Sequence, residues 1–233
     1  RYNISWSSGF ALGPVVGGVI AETLSFRSLF LILSLLVCIT TLIASKQIIS
    51  RFEVKSQFSQ RKVGSYKISR VLPPTIIMIL TMIVVSAVEA ILPGYMSNIG
   101  ITPSIIGILF TSYGVATAFG FILWDKIMKI GEKKLLIPSV FILSISFYAV
   151  SLSTGILEFF LILILIGIST AIIFSITQIM IGRLSPRWKL GAGSSMLSFG
   201  YAFGYMIGPS MAGTLSDIFE PIFPYVYMAV IPM

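Results

Sequence analysis

The chain has 233 residues, 56% hydrophobic and only 10% charged, with a mean hydropathy of +1.01. A soluble domain carries about 25% charged residues and could not hide this much apolar surface from water. A soluble enzyme, a disordered tail, a disulfide scaffold and a collagen-like fibre are therefore excluded, and a polytopic membrane protein remains.

Cysteine and histidine narrow the chemistry further. The single cysteine, Cys38, lies in an apolar run, so there is no disulfide framework. Histidine is absent, which removes Ser-His-Asp catalysis and most zinc sites. Neither a cluster of catalytic carboxylates nor a Gly-rich nucleotide loop is visible. Enzyme activity, a cofactor and a metal are not expected; a membrane-embedded enzyme or a non-transporting receptor is the alternative of another class.

Along the chain, eight segments are apolar enough for membrane helices: 3–22, 27–48, 70–97, 103–124, 134–153, 156–181, 190–215 and 221–233. The runs are continuous, unlike the alternating strands of about ten residues in a barrel, so the expected class is all-α. Asn98-Ile99-Gly100-Ile101-Thr102-Pro103 separates the third span from the fourth, and Ser153-Thr154-Gly155 the fifth from the sixth. The eighth segment is short, and Arg1 rather than Met opens the chain, so both ends look cut. The polar stretch 49–69 divides the chain into 1–48, a linker and a larger bundle over 70–233.

Charge fixes an orientation. With alternating spans, every one of the 16 basic residues except Arg27 falls on one side. The positive-inside rule makes that side cytoplasmic, so the loops 49–69, 125–134 and 182–189 are expected there, in a multi-pass protein of the cell membrane. The net charge of +8 is thus spent on topology rather than on nucleic acid.

An internal repeat relates the first and seventh spans. Gly9, Gly13, Pro14 and Gly18 overlay Gly204, Gly208, Pro209 and Gly213, with Gly17 on Ala212, Trp6 on Tyr201 and Glu22 on Asp217. Six spans separate the copies, which gives a parallel repeat about an axis along the membrane normal, as in many secondary transporters. Projected backwards, the repeat expects four further spans before Arg1 and a twelve-span protein of about 370–390 residues. Glycines four apart flatten a helix face for a neighbour. Gly9, Gly13 and Gly17 are expected to form such a face, with the fourth span (Gly107, Gly114, Ala118, Gly120) as its partner and Pro14 as a bend.

Glu89 is the most informative charge. It follows an uncharged run from Val71 to Val88 and should sit about 10 Å from the outer end of its span. Intramembrane carboxylates are costly and usually face a cavity or a relay, so Glu89 is the candidate for proton coupling or for a counter-charge to a cationic substrate. Tyr113, Ser175, Thr177, Gln178, Tyr201, Phe203 and Tyr205 are candidates for an apolar cavity with a few hydrogen-bonding groups.

Gly9-x3-Gly13-Pro14-x2-Gly17-Gly18 resembles the fifth-helix signature of proton-coupled drug antiporters in the major facilitator superfamily. Leu92-Pro93-Gly94-Tyr95 through Ile106-Gly107 resembles the opening of a six-helix half. Asp125-Lys126 with Lys129, Gly131, Lys133 and Lys134 resembles the family's acidic-basic loop, with Phe121 and Met128 where the family has glycine. Arg183-Leu184-Ser185-Pro186 with Leu190-Gly191-Ala192-Gly193 resembles the entry to the eleventh helix. The resemblance implies a 6+6 fold represented from its fifth to its twelfth helix, with the first four missing and the last truncated. It implies proton-coupled efflux of small amphipathic compounds by alternating access, with uptake of a sugar, organic acid or other nutrient as the alternative. By the same analogy the Gly-Pro segments would act in gating, and Asp125 would latch with Lys126 or Lys129 in one conformation. The partners implied are a small-molecule substrate, protons and the lipid bilayer; the complete protein is expected to be a monomer.

Overall fold

The structure, a computed structural model, describes residues 2–51, 68–122, 131–185 and 190–218. Seven long helices occur among them: α1 (Tyr2–Thr23), α2 (Phe26–Arg51), α3 (Leu72–Asn98), α4 (Pro103–Ile122), α5 (Glu132–Leu152), α6 (Ile156–Leu184) and α7 (Leu190–Ile218), with a 3-10 turn at Ile68–Arg70. No strand occurs among the described residues. The eighth predicted segment, 221–233, lies outside them.

Among the described residues five helices are long and apolar enough to cross a membrane: Phe26–Ser45 within α2, α3, α4, Lys134–Leu152 within α5, and α6. In α1, a helix of 22 residues, the apolar stretch whose side chains are described is Gly9–Thr23. Of the eight predicted segments, five are met by these helices, the seventh forms α7, which is of membrane length but less apolar, the first is only partly described and the eighth lies outside the described residues. α7 is rich in Gly and Ser, which lower hydropathy while serving helix-to-helix contact.

Short turns join the helices. Ser25 accepts the Ser28 amide at 3.1 Å and starts α2. At the end of α3 the Ile101 amide reaches the Met96 carbonyl at 3.0 Å, and Gly100 takes the positive φ of 89° that this turn requires. Glu158 accepts the amides of Thr154 and Gly155 and opens α6. These turns bring the ends next to the basic linkers to one side of the bundle, called here the basic end. There Arg183 on α6 forms an ion pair with Glu132 on α5.

The principal helix pairs are α1 with α4, α3 with α7, α4 with α6 and α5 with α6; α2 packs mainly on α1. The core is built from Val84, Val88 and Leu92 of α3, Leu109 and Tyr113 of α4, Leu143 and Phe147 of α5, and Phe159, Leu163 and Ile166 of α6. In lipid, close backbone approach rather than water exclusion holds helices together. A Cβ on Gly114 would lie 2.8 Å from the Ala11 Cα, and one on Gly167 would lie 2.6 Å from the Tyr113 carbonyl oxygen.

The expected contact face of α1 is displaced. Gly9, Gly13 and Gly17 have nothing within 4 Å of an added Cβ. The contact with α4 runs instead through Ala11, Pro14 and Gly18: Gly107 packs on the Pro14 carbonyl, and Gly18 on the Pro103 carbonyl. The Val15 amide donates to Thr111 Oγ1 at 3.1 Å across the same seam. A helix turns 100° per residue, so a face one or two residues along points elsewhere. Of the partner positions named from sequence, Gly107 and Gly114 do meet α1. Gly120 packs on the Ala171 side chain of α6 instead.

Candidate functional site

The site is set by how α7 packs on α3. Gly204 and Gly208 let the two backbones close: a Cβ at Gly204 would lie 2.7 Å from the Ile79 carbonyl oxygen, and one at Gly208 would strike Ser86 and the Ile83 carbonyl. This register carries the next residue, Tyr205, to the height of Glu89. The Tyr205 hydroxyl donates to Glu89 Oε2 at 2.7 Å. Asn98 ends α3 nine residues on, so Glu89 sits about 14 Å from that end, deeper than the sequence suggested.

Tyr113 on α4 lies buried beside the same carboxyl. Its ring meets Phe10 of α1 edge-on, with centroids 5.7 Å apart. Glu89 Oε1 is nonetheless buried without a hydrogen-bond partner of good geometry. Tyr201 stacks on Tyr205 with centroids 4.6 Å apart and planes 19° apart. One carboxyl and three tyrosines from α3, α4 and α7 therefore converge.

Away from the basic end, Glu89 borders a cavity of about 540 Å³ between α1, α2, α3 and α4. Phe10, Phe26 and Phe110 supply its aromatic walls, and Pro14 and Pro93 border it as well. A second cavity of about 470 Å³ lies between α3 and α5 and has no ionisable side chain.

Tyr113, Tyr201 and Tyr205 are thus brought to Glu89, and the other predicted cavity residues are not. Thr177 is buried and returns its hydroxyl to the Phe174 and Ile173 carbonyls at 2.8 and 3.0 Å. Ser175 is buried in α6, whereas Gln178 on the same helix is exposed. Phe203 stacks on Phe199 at 5.4 Å, away from the carboxyl. Among the second set of Gly-Pro residues, Gly204 and Gly208 are in close contact and Gly213 meets nothing. The predicted latch, Asp125 with Lys126 and Lys129, lies outside the described residues. Phe10, Phe110 and Phe174 were missed: an apolar ring inside an apolar helix gives no signal until the helices are packed. Among the described residues no group of three His, Cys, Asp or Glu could hold a metal.

A bundle of membrane-length helices enclosing one carboxyl at mid-span defines a polytopic α-helical membrane protein. Residues 74–233 match the Major Facilitator Superfamily, and the chain belongs to that family. It is similar to the uncharacterized MFS-type transporter MJ1560 of Methanocaldococcus jannaschii, at 24% identity over 148 residues. That match covers 63% of this chain and 38% of the relative, so the chain spans well under two thirds of the relative's length.

Proposed function

We propose that the complete protein is a secondary active transporter that exports small amphipathic compounds by alternating access, coupled to protons through Glu89. The observation that carries this reading is the carboxyl itself. It lies within the span of α3, accepts from Tyr205 through one oxygen, has Tyr113 buried against it and borders a cavity of about 540 Å³. A buried carboxyl of this kind is kept at a cost and suits a proton carrier. The largely apolar, aromatic surroundings suit amphipathic cargo.

The two-half architecture draws support from the repeat. On α7, Gly204, Gly208 and Ala212 face α3, yet their counterparts on α1, Gly9, Gly13 and Gly17, meet nothing. On α1, Ala11, Pro14 and Gly18 face α4; of their counterparts on α7, Met206 is 63% exposed and Gly213 meets nothing. Each copy uses the face that the other leaves open. A parallel two-fold arrangement would fill both open faces with counterparts of α3 and α4 from the other half. The α1–α4 seam would then be an interface between halves, and its backbone-tight packing suits a gate that seals without leak.

The test is reconstitution of the complete protein in proteoliposomes with a pH indicator inside. A panel of amphipathic compounds is added under an imposed pH gradient. Compound-dependent proton movement is expected from the wild type and its loss from Glu89→Gln. Full activity in Glu89→Gln would remove Glu89 from the coupling.

A further inference from the structure

We propose that Glu22 and Thr111 form a releasable clasp that holds the α1–α4 seam shut on the side away from the basic end, and that its release lets that side open. The clasp rests on the transporter reading above and names the side chains that set its balance between closed and open states. Hydrogen bonds tie the seam at two heights. Near the middle, the Val15 amide donates to Thr111 Oγ1 at 3.1 Å. About 10 Å further along α1, Glu22 Oε2 accepts the Ser104 amide at 2.8 Å. The hydroxyls of Ser104 and Thr102 lie beside the same carboxylate. Between the two ties, Gly18 packs on the Pro103 carbonyl and Gly107 on the Pro14 carbonyl, so the backbones there are already as close as they can come.

Ending a helix does not call for such a contact. Asp217, the repeat counterpart of Glu22, is exposed near the end of α7 and takes no hydrogen bond among the described residues. One copy of the repeat therefore uses its terminal carboxylate to reach another helix, and the other copy does not. The reach is sensitive to separation. If α1 moves with one half and α4 with the other, their ends part furthest, and a contact at the end is lost first. Glu22 is exposed and Ser104 only half-buried, so water replaces each partner once they part. The cost of release is then the modest one of losing a helix cap, not that of stranding a buried charge. A contact made in one state and hydrated in the other biases a two-state equilibrium without locking it.

The experiment measures distances between nitroxide spin labels on the complete protein, carried by Leu24→Cys and Ile99→Cys in a Cys38→Ser background. Leu24 and Ile99 are exposed in the turns after α1 and α3, so a short distance reports the closed side and a long one the open side. Glu22→Ala should raise the ratio of long to short distances by about three- to ten-fold, the effect of losing one cap. Thr111→Val should raise it by about three-fold, and it carries the test where Glu22→Ala fails to fold. Glu22→Gln keeps an acceptor for the Ser104 amide and should stay within about two-fold of the wild type; Asp217→Ala should change nothing. A merely structural cap would lower the melting temperature of Glu22→Ala and leave the distances as they are, which would overturn the clasp. An equal response in Asp217→Ala would overturn it as well. The two readings separate cleanly. Compound-driven proton movement with unshifted distances in Glu22→Ala and Thr111→Val would retain the transporter and remove the clasp. Shifted distances without proton movement would retain the clasp and remove the coupling.

Discussion

Glu22, in the last turn of α1, reaches across to the first turn of α4, where its Oε2 accepts the Ser104 amide at 2.8 Å. Pro103 opens α4 and has no amide hydrogen, so Ser104 carries the first orphan donor of that helix. A carboxylate at a helix N-terminus also meets the positive end of the helix dipole. The contact therefore ties the ends of α1 and α4 together at the side away from the basic linkers. Replacing Glu22 by Ala should lower the melting temperature of the complete protein in detergent by a few degrees. The same change at its repeat counterpart Asp217, exposed near the end of α7, should leave it in place. Equal effects at the two positions would show that the cap contributes nothing particular to the α1–α4 seam.

Gly107 tests the seam at its tightest point. A side chain there would run into the Pro14 carbonyl, which belongs to rigid helix backbone and cannot swing aside. Gly107→Ala should destabilise by about 1–3 kcal/mol, the ordinary cost of overpacking. Gly182→Ala on α6 is the control, since a Cβ there meets nothing. It should be neutral or slightly stabilising, because Ala is the better helix former. Thermal unfolding of both variants checks the contrast.

Class and packing logic were legible in the sequence to different depths. Long apolar runs and turn residues were enough to find the helices, because lipid leaves the backbone few alternatives to helix. Glu89 stood out for the same reason: one carboxylate in an uncharged run is costly enough to be conspicuous. Direction around a helix axis was harder to read. The Gly9–Gly13–Gly17 spacing pointed to a contact face for α4, but nothing local gives direction around the axis, and α4 took the adjoining face through Pro14 and Gly18. The ring contacts of Phe174 with Phe121 and with Tyr201 were invisible because the three residues lie on three helices and only tertiary packing brings them together.

The open face of α1 makes the two-half architecture testable by substitution. Within the described residues, a leucine at Gly13 has room, since nothing lies within 4 Å of its Cβ. If a counterpart of α3 packs there in the complete protein, as α3 itself packs on Gly208, the same leucine is forced against backbone. Gly13→Leu should then cost about 1–3 kcal/mol or prevent assembly. Thermal unfolding and monodispersity of the purified protein report this, and a stable, fully active Gly13→Leu variant would count against a second half related by the repeat.

Tyr205→Phe isolates the one hydrogen bond at the centre of the site. The ring remains stacked on Tyr201, and only the hydroxyl that donates to Glu89 Oε2 at 2.7 Å is lost. Tyr113 still lies against the carboxyl, so the variant removes one of the two tyrosine contacts that hold it. A buried polar group deprived of its partner costs about 1–3 kcal/mol, and this should appear as a lower melting temperature. Function should suffer in a particular way. A carboxyl held less firmly still exchanges protons but no longer meets the cargo in one fixed position, so compound-driven proton movement should slow by about ten-fold. Measuring this rate beside that of Glu89→Gln separates positioning from charge. Unchanged transport in Tyr205→Phe would mean that Glu89 is oriented by α3 alone and that the tyrosine hydroxyl has no part in coupling.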